Sequence, residues 1–141
     1  MGTEVFSNIN WFALLIATLA YFMLGALWYS KALFGNKWAA LVKLDVNDPK
    51  LKEGMAKMMI GSFVLMLIAC LGLAILVARI NPPVDIASGI KLGLLAGICF
   101  AATALSISFI YENKPTELYF IDCGYHVTGL LLAGIILVMW R

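Results

Sequence analysis

Charged side chains are scarce in this sequence. They make up 13% of its 141 residues, and ten Lys and Arg residues nearly balance eight Asp and Glu residues. Soluble globular domains carry about 25% charged residues, so this composition excludes a soluble domain and a disordered chain. The net charge of +2 is too small for the basic surface that nucleic-acid binding requires. We therefore expect no nucleic acid among the partners of this protein.

Cysteine and histidine are also rare, with three Cys residues and one His residue in the chain. Three cysteines are too few for a disulfide framework, and none of them has Cys-x-x-Cys spacing. A metal site would have to combine His126 with Asp122, Glu117 or Cys123, which is a small set of ligands. The sequence therefore predicts neither a metal site nor a cofactor, and it assigns no catalytic residue.

Hydrophobic residues are abundant: they form 63% of the chain, and the mean hydropathy is +0.96. Four apolar stretches each reach the length of about 20 residues that a membrane-spanning helix needs. They predict an all-α integral membrane protein, a single domain over residues 1–141 with four transmembrane helices in a small bundle. The predicted helices cover about residues 11–29, 58–77, 86–109 and 118–140, and a loop of about residues 30–57 follows the first.

Positive charge is unevenly divided between the two sides of this predicted bundle. One side carries seven lysines and the other only Arg79, Lys91 and Arg141. Because cytoplasmic loops carry an excess of Lys and Arg, we expect a cytoplasmic first loop, with both termini outside. The seven lysines are Lys31, Lys37, Lys43, Lys50, Lys52, Lys57 and Lys114.

Aromatic residues gather in and just before the first loop. Phe34, Trp38 and Leu41 recur at near-helical spacing, which predicts a short helix at the membrane interface, with a solvated loop as the alternative. Trp28, Tyr29 and Trp38 are typical of interfacial anchors. The alternative is that Trp28 and Tyr29, beside Glu112 and Lys114 at the same membrane face, form the wall of a site for a cation, a headgroup or a flat ligand.

Small residues recur every fourth position along the third predicted helix, at Gly89, Gly93, Gly97 and Ala101. This glycine ridge predicts the close approach of another helix, which van der Waals packing would then hold. The partner helix belongs either to the same chain or to a second copy. Besides the lipid bilayer, we therefore expect a homo-oligomer or a partner membrane protein.

The fourth predicted helix carries the polar residues of greatest interest. Asp122 and His126 are four residues apart and share one helix face, with Tyr125 beside them. A carboxylate at mid-membrane costs roughly 2.5–3.5 kcal/mol on insertion scales, so a partner or a cavity must offset it. One interpretation is a polar pathway in which Asp122 and His126 exchange a proton, with Tyr125 and Glu112 at its entrance. The other is a hydrogen-bonded pair that only fixes helix packing.

One family resemblance covers nearly the whole chain. The first helix ends in Gly25-Ala26-Leu27-Trp28-Tyr29-Ser30, and Leu33-Phe34-Gly35, Trp38, Tyr111-Glu112, Pro115, Gly124-Tyr125-His126 and Trp140 follow. Together these elements resemble the bacterial membrane family catalogued as domain of unknown function 1761. The resemblance implies a four-helix integral membrane protein, and it implies no activity.

Three classes of function remain after these exclusions. We favour an oligomeric carrier or channel for a proton, an ion or a small polar solute, with Asp122 as acceptor and His126 as its partner. The alternative is a non-catalytic accessory or scaffold subunit of a larger membrane complex. A membrane-embedded enzyme comes last, because Asp122, Cys123 and His126 are the only reactive groups on offer.

Overall fold

The fold was analysed in a computed structural model that describes residues 4–141. Over this range the chain is helical and contains no strand. Four helices are long and apolar enough to cross a membrane, which confirms the predicted all-α membrane bundle. The elements are α1 (Glu4–Ser7), α2 (Trp11–Trp28), α3 (Gly35–Leu41), α4 (Pro49–Ile80), α5 (Ile86–Leu94), a π-helical segment (Leu95–Ala102), α6 (Thr103–Tyr111) and α7 (Thr116–Met139).

We call the long helices the first span (α2), the second span (α4), the third span (α5, the π-helical segment and α6) and the fourth span (α7). The predicted short helix of the first loop is α3. Its position at the membrane interface stays a prediction.

Side-chain caps explain where three of the spans begin. The carboxylate of Asp48 accepts a hydrogen bond from the backbone N–H of Lys50 at 2.9 Å, and Pro49 occupies the first turn. Asp85 accepts a similar bond from Ser88 at 2.6 Å, and Asn10 caps the first span. Such caps satisfy backbone donors that have no partner within the helix.

The second span is much longer than a bilayer requires. It begins at Pro49, ahead of the apolar stretch predicted at about residues 58–77, and contains 32 residues, which at 1.5 Å per residue make a helix of about 48 Å. The hydrocarbon core of a bilayer is about 30 Å thick. The first turns of this helix, with Lys50, Lys52 and Glu53, therefore extend beyond the membrane.

The third span is not a regular α-helix. Its middle, Leu95–Ala102, is a π-helix of eight residues. In a π-helix each backbone N–H bonds to the carbonyl five residues earlier in the chain rather than four. The apolar pattern of the sequence predicts an uninterrupted helix here. Such π-helical turns are rare and are often found at functional sites.

The fourth span lies at the centre of the bundle. Half of the residues in its most apolar 18-residue stretch are buried, compared with 17–28% in the other three spans. The fourth span packs against all of them. At one end of the bundle the Arg141 guanidinium donates to Asn81 at 2.6 Å. At the other end, which we call the lysine-rich end, Lys37 pairs with Glu117 at 3.4 Å.

Candidate functional site

The glycine ridge of the third span fixes the position of the fourth. A Cβ built on Gly89 or Gly93 would lie 2.6 Å from the Cα of Ile135 or Leu131, and one on Gly97 would lie 2.9 Å from the Cα of Val127. These distances leave room only for hydrogen, so the two backbones approach closely. The partner of the ridge is thus a helix of the same chain, and the ridge no longer argues for an assembly of copies.

Asp122 lies near the lysine-rich end of the fourth span and is half-buried. The Tyr29 hydroxyl, from the residue just after the first span, donates to the Asp122 carboxylate at 2.8 Å. A tyrosine phenol has a pKa of about 10 in water, well above neutral pH. The phenol therefore stays protonated and remains a hydrogen-bond donor to Asp122.

His126 lies one turn further into the bilayer on the same helix. Its Nδ1 atom and the hydroxyl of Tyr21 are 2.6 Å apart, and which of the two donates depends on the tautomer of the ring. Between residues 4 and 141 no hydrogen bond or ion pair joins His126 directly to Asp122. Each of them bonds instead to a tyrosine, His126 to Tyr21 of the first span and Asp122 to Tyr29, the residue that follows this span.

Tyr125 and Trp28 hold the first and fourth spans together around these two pairs. The Tyr125 hydroxyl donates to the backbone carbonyl of Tyr21 at 3.3 Å. The Trp28 indole N–H donates to the carbonyl of Ile121 at 3.0 Å, so this predicted interfacial residue is turned towards the fourth span. The Tyr125 ring lies 4.8 Å from the His126 ring and 5.3 Å from the Tyr29 ring.

A cavity of about 630 Å³ opens beside this cluster, and we call it the side cavity. Five of the predicted site residues line it, namely Tyr29, Trp38, Ala101, Tyr125 and His126, whereas Asp122 is not part of the lining. The Trp38 ring packs edge-on against the Tyr29 ring at 5.4 Å. The structure thus brings these aromatic and polar residues together at a single wall.

The opposite wall of the side cavity was missed in the sequence analysis. It is formed by the second span, with Met55, Met59, Ser62 and Met66 among its residues. Their spacing of three or four residues places them on one helix face. This regularity is visible in the sequence, but in a lipid-facing helix it is hidden among other apolar residues.

Glu112 was predicted at the entrance of the pathway, and the structure places it elsewhere. It is exposed, forms an ion pair with Lys114, and is not among the residues that line the side cavity. The turn after the third span, with Asn113 in the left-handed conformation, carries it away from the fourth span. Glu112 therefore contacts neither Asp122 nor His126.

A second cavity, of about 490 Å³, lies between the first, second and fourth spans at the opposite end of the bundle. Asn10, Asn81 and Arg141 contribute to its lining. Between the two cavities the spans are closely packed by small, fully buried side chains, which we call the central layer. It consists of Ala17 and Thr18 of the first span, Cys70 of the second and Ala133 of the fourth, all with 0% exposure.

Metal-binding side chains do not converge in the part of the chain that the structure describes. Within residues 4–141, no three His, Cys, Asp or Glu side chains lie close enough together to hold a metal ion. What the site offers is a carboxylate and an imidazole in a membrane-spanning helix, each hydrogen-bonded to a tyrosine, beside a largely apolar cavity.

These features define an all-α integral membrane protein of four transmembrane helices with a polar, aromatic cluster inside the bundle. The model of the family described as protein of unknown function (DUF1761) matches residues 12–138. The chain belongs to this family, as its motifs predicted. Neither the curated proteins nor the solved structures provide a match to it.

Proposed function

We propose that the protein is a small carrier that moves protons across the membrane by way of Asp122 and His126. The observation that carries the proposal is a carboxylate within a membrane-spanning helix that forms no ion pair in the described chain. Ionisable groups in such helices are costly and are typical of proton and ion pathways. In this proposal the lysine-rich end faces the cytoplasm of a bacterial inner membrane.

Two further observations support a proton pathway along the fourth span. Asp122 and His126 lie one turn apart, and each is bonded to a hydroxyl that can both accept and donate a proton. The bond between Tyr21 and His126 permits either tautomer, so a proton taken up on one nitrogen of the ring can be released from the other.

The central layer favours a carrier over an open channel. Its side chains are fully buried, and only Thr18 and Cys70 among them carry a polar group. The Thr18 hydroxyl donates a hydrogen bond to the carbonyl of Leu14 at 2.8 Å. No continuous polar path therefore crosses this layer in the conformation described here. The two cavities on either side of it are suited to alternate opening, since small side chains allow packed helices to shift.

The test is proton flux into liposomes that contain the purified protein and a trapped pH-sensitive dye. After an imposed pH step, with potassium and valinomycin present to balance charge, the wild-type protein should acidify the interior faster than protein-free liposomes do. Asp122→Asn retains the acceptor for Tyr29 but removes the proton site, so its flux should fall to the protein-free level. Glu53→Gln, which changes an exposed carboxylate outside the membrane, should leave the flux unchanged.

Two results would contradict the proposal. Wild-type flux equal to that of protein-free liposomes would exclude proton movement and favour the accessory-subunit hypothesis. Wild-type flux that survives in Asp122→Asn would exclude Asp122 from the pathway. The homo-oligomer stays a prediction, which native mass spectrometry of the protein extracted with its lipid would test.

A further inference from the structure

Asp122 forms no ion pair in the described chain, whereas two of the lysines at the same end of the bundle do. Lys37 pairs with Glu117 and Lys114 pairs with Glu112, so both neighbouring positive charges are engaged by other carboxylates. The Asp122 carboxylate accepts a hydrogen bond from the neutral Tyr29 hydroxyl. In surroundings this apolar, an unpaired carboxylate is stabilised either by a proton or by a cation.

Aromatic rings stand between this carboxylate and the side cavity. Tyr29 is bonded to Asp122 at its hydroxyl, and the Tyr29 ring lines the cavity together with Trp38 and Tyr125. The faces of such rings attract positively charged groups, most strongly where water is excluded. None of the residues that line the cavity is a Lys or an Arg, so nothing in the wall repels a cation.

The remaining wall of the cavity suits an apolar body. Met55, Met58, Met59 and Met66 come from the second span, and methionine side chains adapt to ligands of different shape. The first three are about half exposed, at 47%, 55% and 48%, which opens the cavity sideways to the lipid. The volume of about 630 Å³ lies within the range of drug-sized binding sites, roughly 300–1,000 Å³.

We propose that the side cavity binds a hydrophobic organic cation, a molecule with an apolar body and a single positive centre, which enters from the bilayer. The positive centre lies against the rings of Tyr29 and Trp38 with the Asp122 carboxylate behind them, and the apolar body contacts the methionine wall. The inference names the class of molecule that the proposed carrier transports. The transport of this molecule rests on the proposed function, whereas its binding to the side cavity does not.

The test is equilibrium binding of labelled tetraphenylphosphonium to the full chain in lipid nanodiscs, with empty nanodiscs subtracted. Tetraphenylborate has the same four-phenyl shape and the opposite charge, so it separates a charge preference from simple partition into lipid. We expect saturable binding of the phosphonium and none of the borate. Asp122→Asn should weaken phosphonium binding by roughly tenfold or more, because it removes the charge and keeps the shape.

Two variants of Trp38 separate the aromatic face from the fold. Trp38→Leu should weaken binding by roughly tenfold, whereas Trp38→Phe, which keeps a ring, should stay within about threefold of the wild type. Trp11→Leu is the matched control, because Trp11 is exposed at the opposite end of the first span. If Trp38→Leu fails to fold, the comparison of Asp122→Asn with the wild type still decides the outcome.

Three results would each overturn the inference and assign the cavity to lipid chains. The protein could bind the borate as strongly as the phosphonium, it could bind no more phosphonium than empty nanodiscs do, or Asp122→Asn could bind the phosphonium as strongly as the wild type. Because binding is measured without a proton gradient, the result is independent of the flux assay. A protein that moves protons but does not bind the phosphonium would retain the proposed function and lose its substrate class. A protein that binds the phosphonium but moves no protons would retain the binding site and lose the proposed function.

Discussion

Replacement of Gly93 by alanine tests the packing that holds the candidate site in place. A Cβ at this position would lie 2.6 Å from the Cα of Leu131 and 2.7 Å from the carbonyl oxygen of Leu130. Non-bonded carbon atoms rest at about 3.5–4.0 Å, so the third and fourth spans would have to separate by about 1 Å. Both obstructing atoms belong to the backbone of a packed helix and cannot move aside on their own.

The expected loss of stability follows from two opposing effects. Gly→Ala within a helix gains up to about 1 kcal/mol from helix propensity, and forcing an extra methyl group into a packed interface costs about 1–3 kcal/mol. Gly61→Ala is the matched control, because nothing lies within 4 Å of a Cβ at Gly61 in the second span. The gain from helix propensity is common to both variants and cancels, so they should differ by roughly 1–3 kcal/mol in the free energy of unfolding.

Reversible unfolding in mixed micelles, followed by far-ultraviolet circular dichroism as the denaturing detergent is increased, measures this difference. Gly61→Ala should be as stable as the wild type or slightly more stable, and Gly93→Ala should be less stable than Gly61→Ala. If Gly93→Ala matched Gly61→Ala, the close approach of the third and fourth spans would be refuted, together with the position of Asp122 and His126 that depends on it.

Three further substitutions probe other contacts of the bundle. Asp85→Ala removes the cap of the third span and should cost about 1 kcal/mol, seen as faster amide hydrogen exchange in its first turn; unchanged exchange would contradict the cap. Gly129→Ala places a methyl group against the ring of Tyr21 and should lower the thermal unfolding temperature; an unchanged temperature would mean that this ring packs elsewhere. Trp28→Phe keeps a ring but loses the indole hydrogen bond to Ile121, and should destabilise by roughly 0.5–1.5 kcal/mol in the same unfolding assay; wild-type stability would contradict that bond.

The helical architecture is predictable because it depends on local chemistry. Apolar stretches of membrane-spanning length predict the spans, and capping residues such as Asp48 and Asp85 predict where two of them begin. In the second span the apolar stretch marks only the part that crosses the bilayer, and the Asp48-Pro49 cap predicts the polar turns that precede it. The π-helical segment has no sequence signal that we can identify.

The candidate site was predictable only in part, since it is assembled by tertiary contacts. The spacing of Asp122 and His126 shows that they share a helix face, but it does not show that Tyr29 and Tyr21 of another helix bond to them. The glycine ridge predicts close packing without naming its partner. Glu112 is near Asp122 in sequence, yet the turn that follows the third span carries it away.

Uptake and release of a proton by Asp122 is the central claim of this account. Infrared difference spectroscopy of the protein in lipid, recorded as the pH is changed, detects the carbonyl stretch of a protonated carboxyl group directly. The account predicts a band that appears and disappears reversibly while the protein stays folded, and that is missing in Asp122→Asn. A difference spectrum that is the same in the wild type and in Asp122→Asn would contradict it, and Asp122 would then serve only to hold the first and fourth spans together.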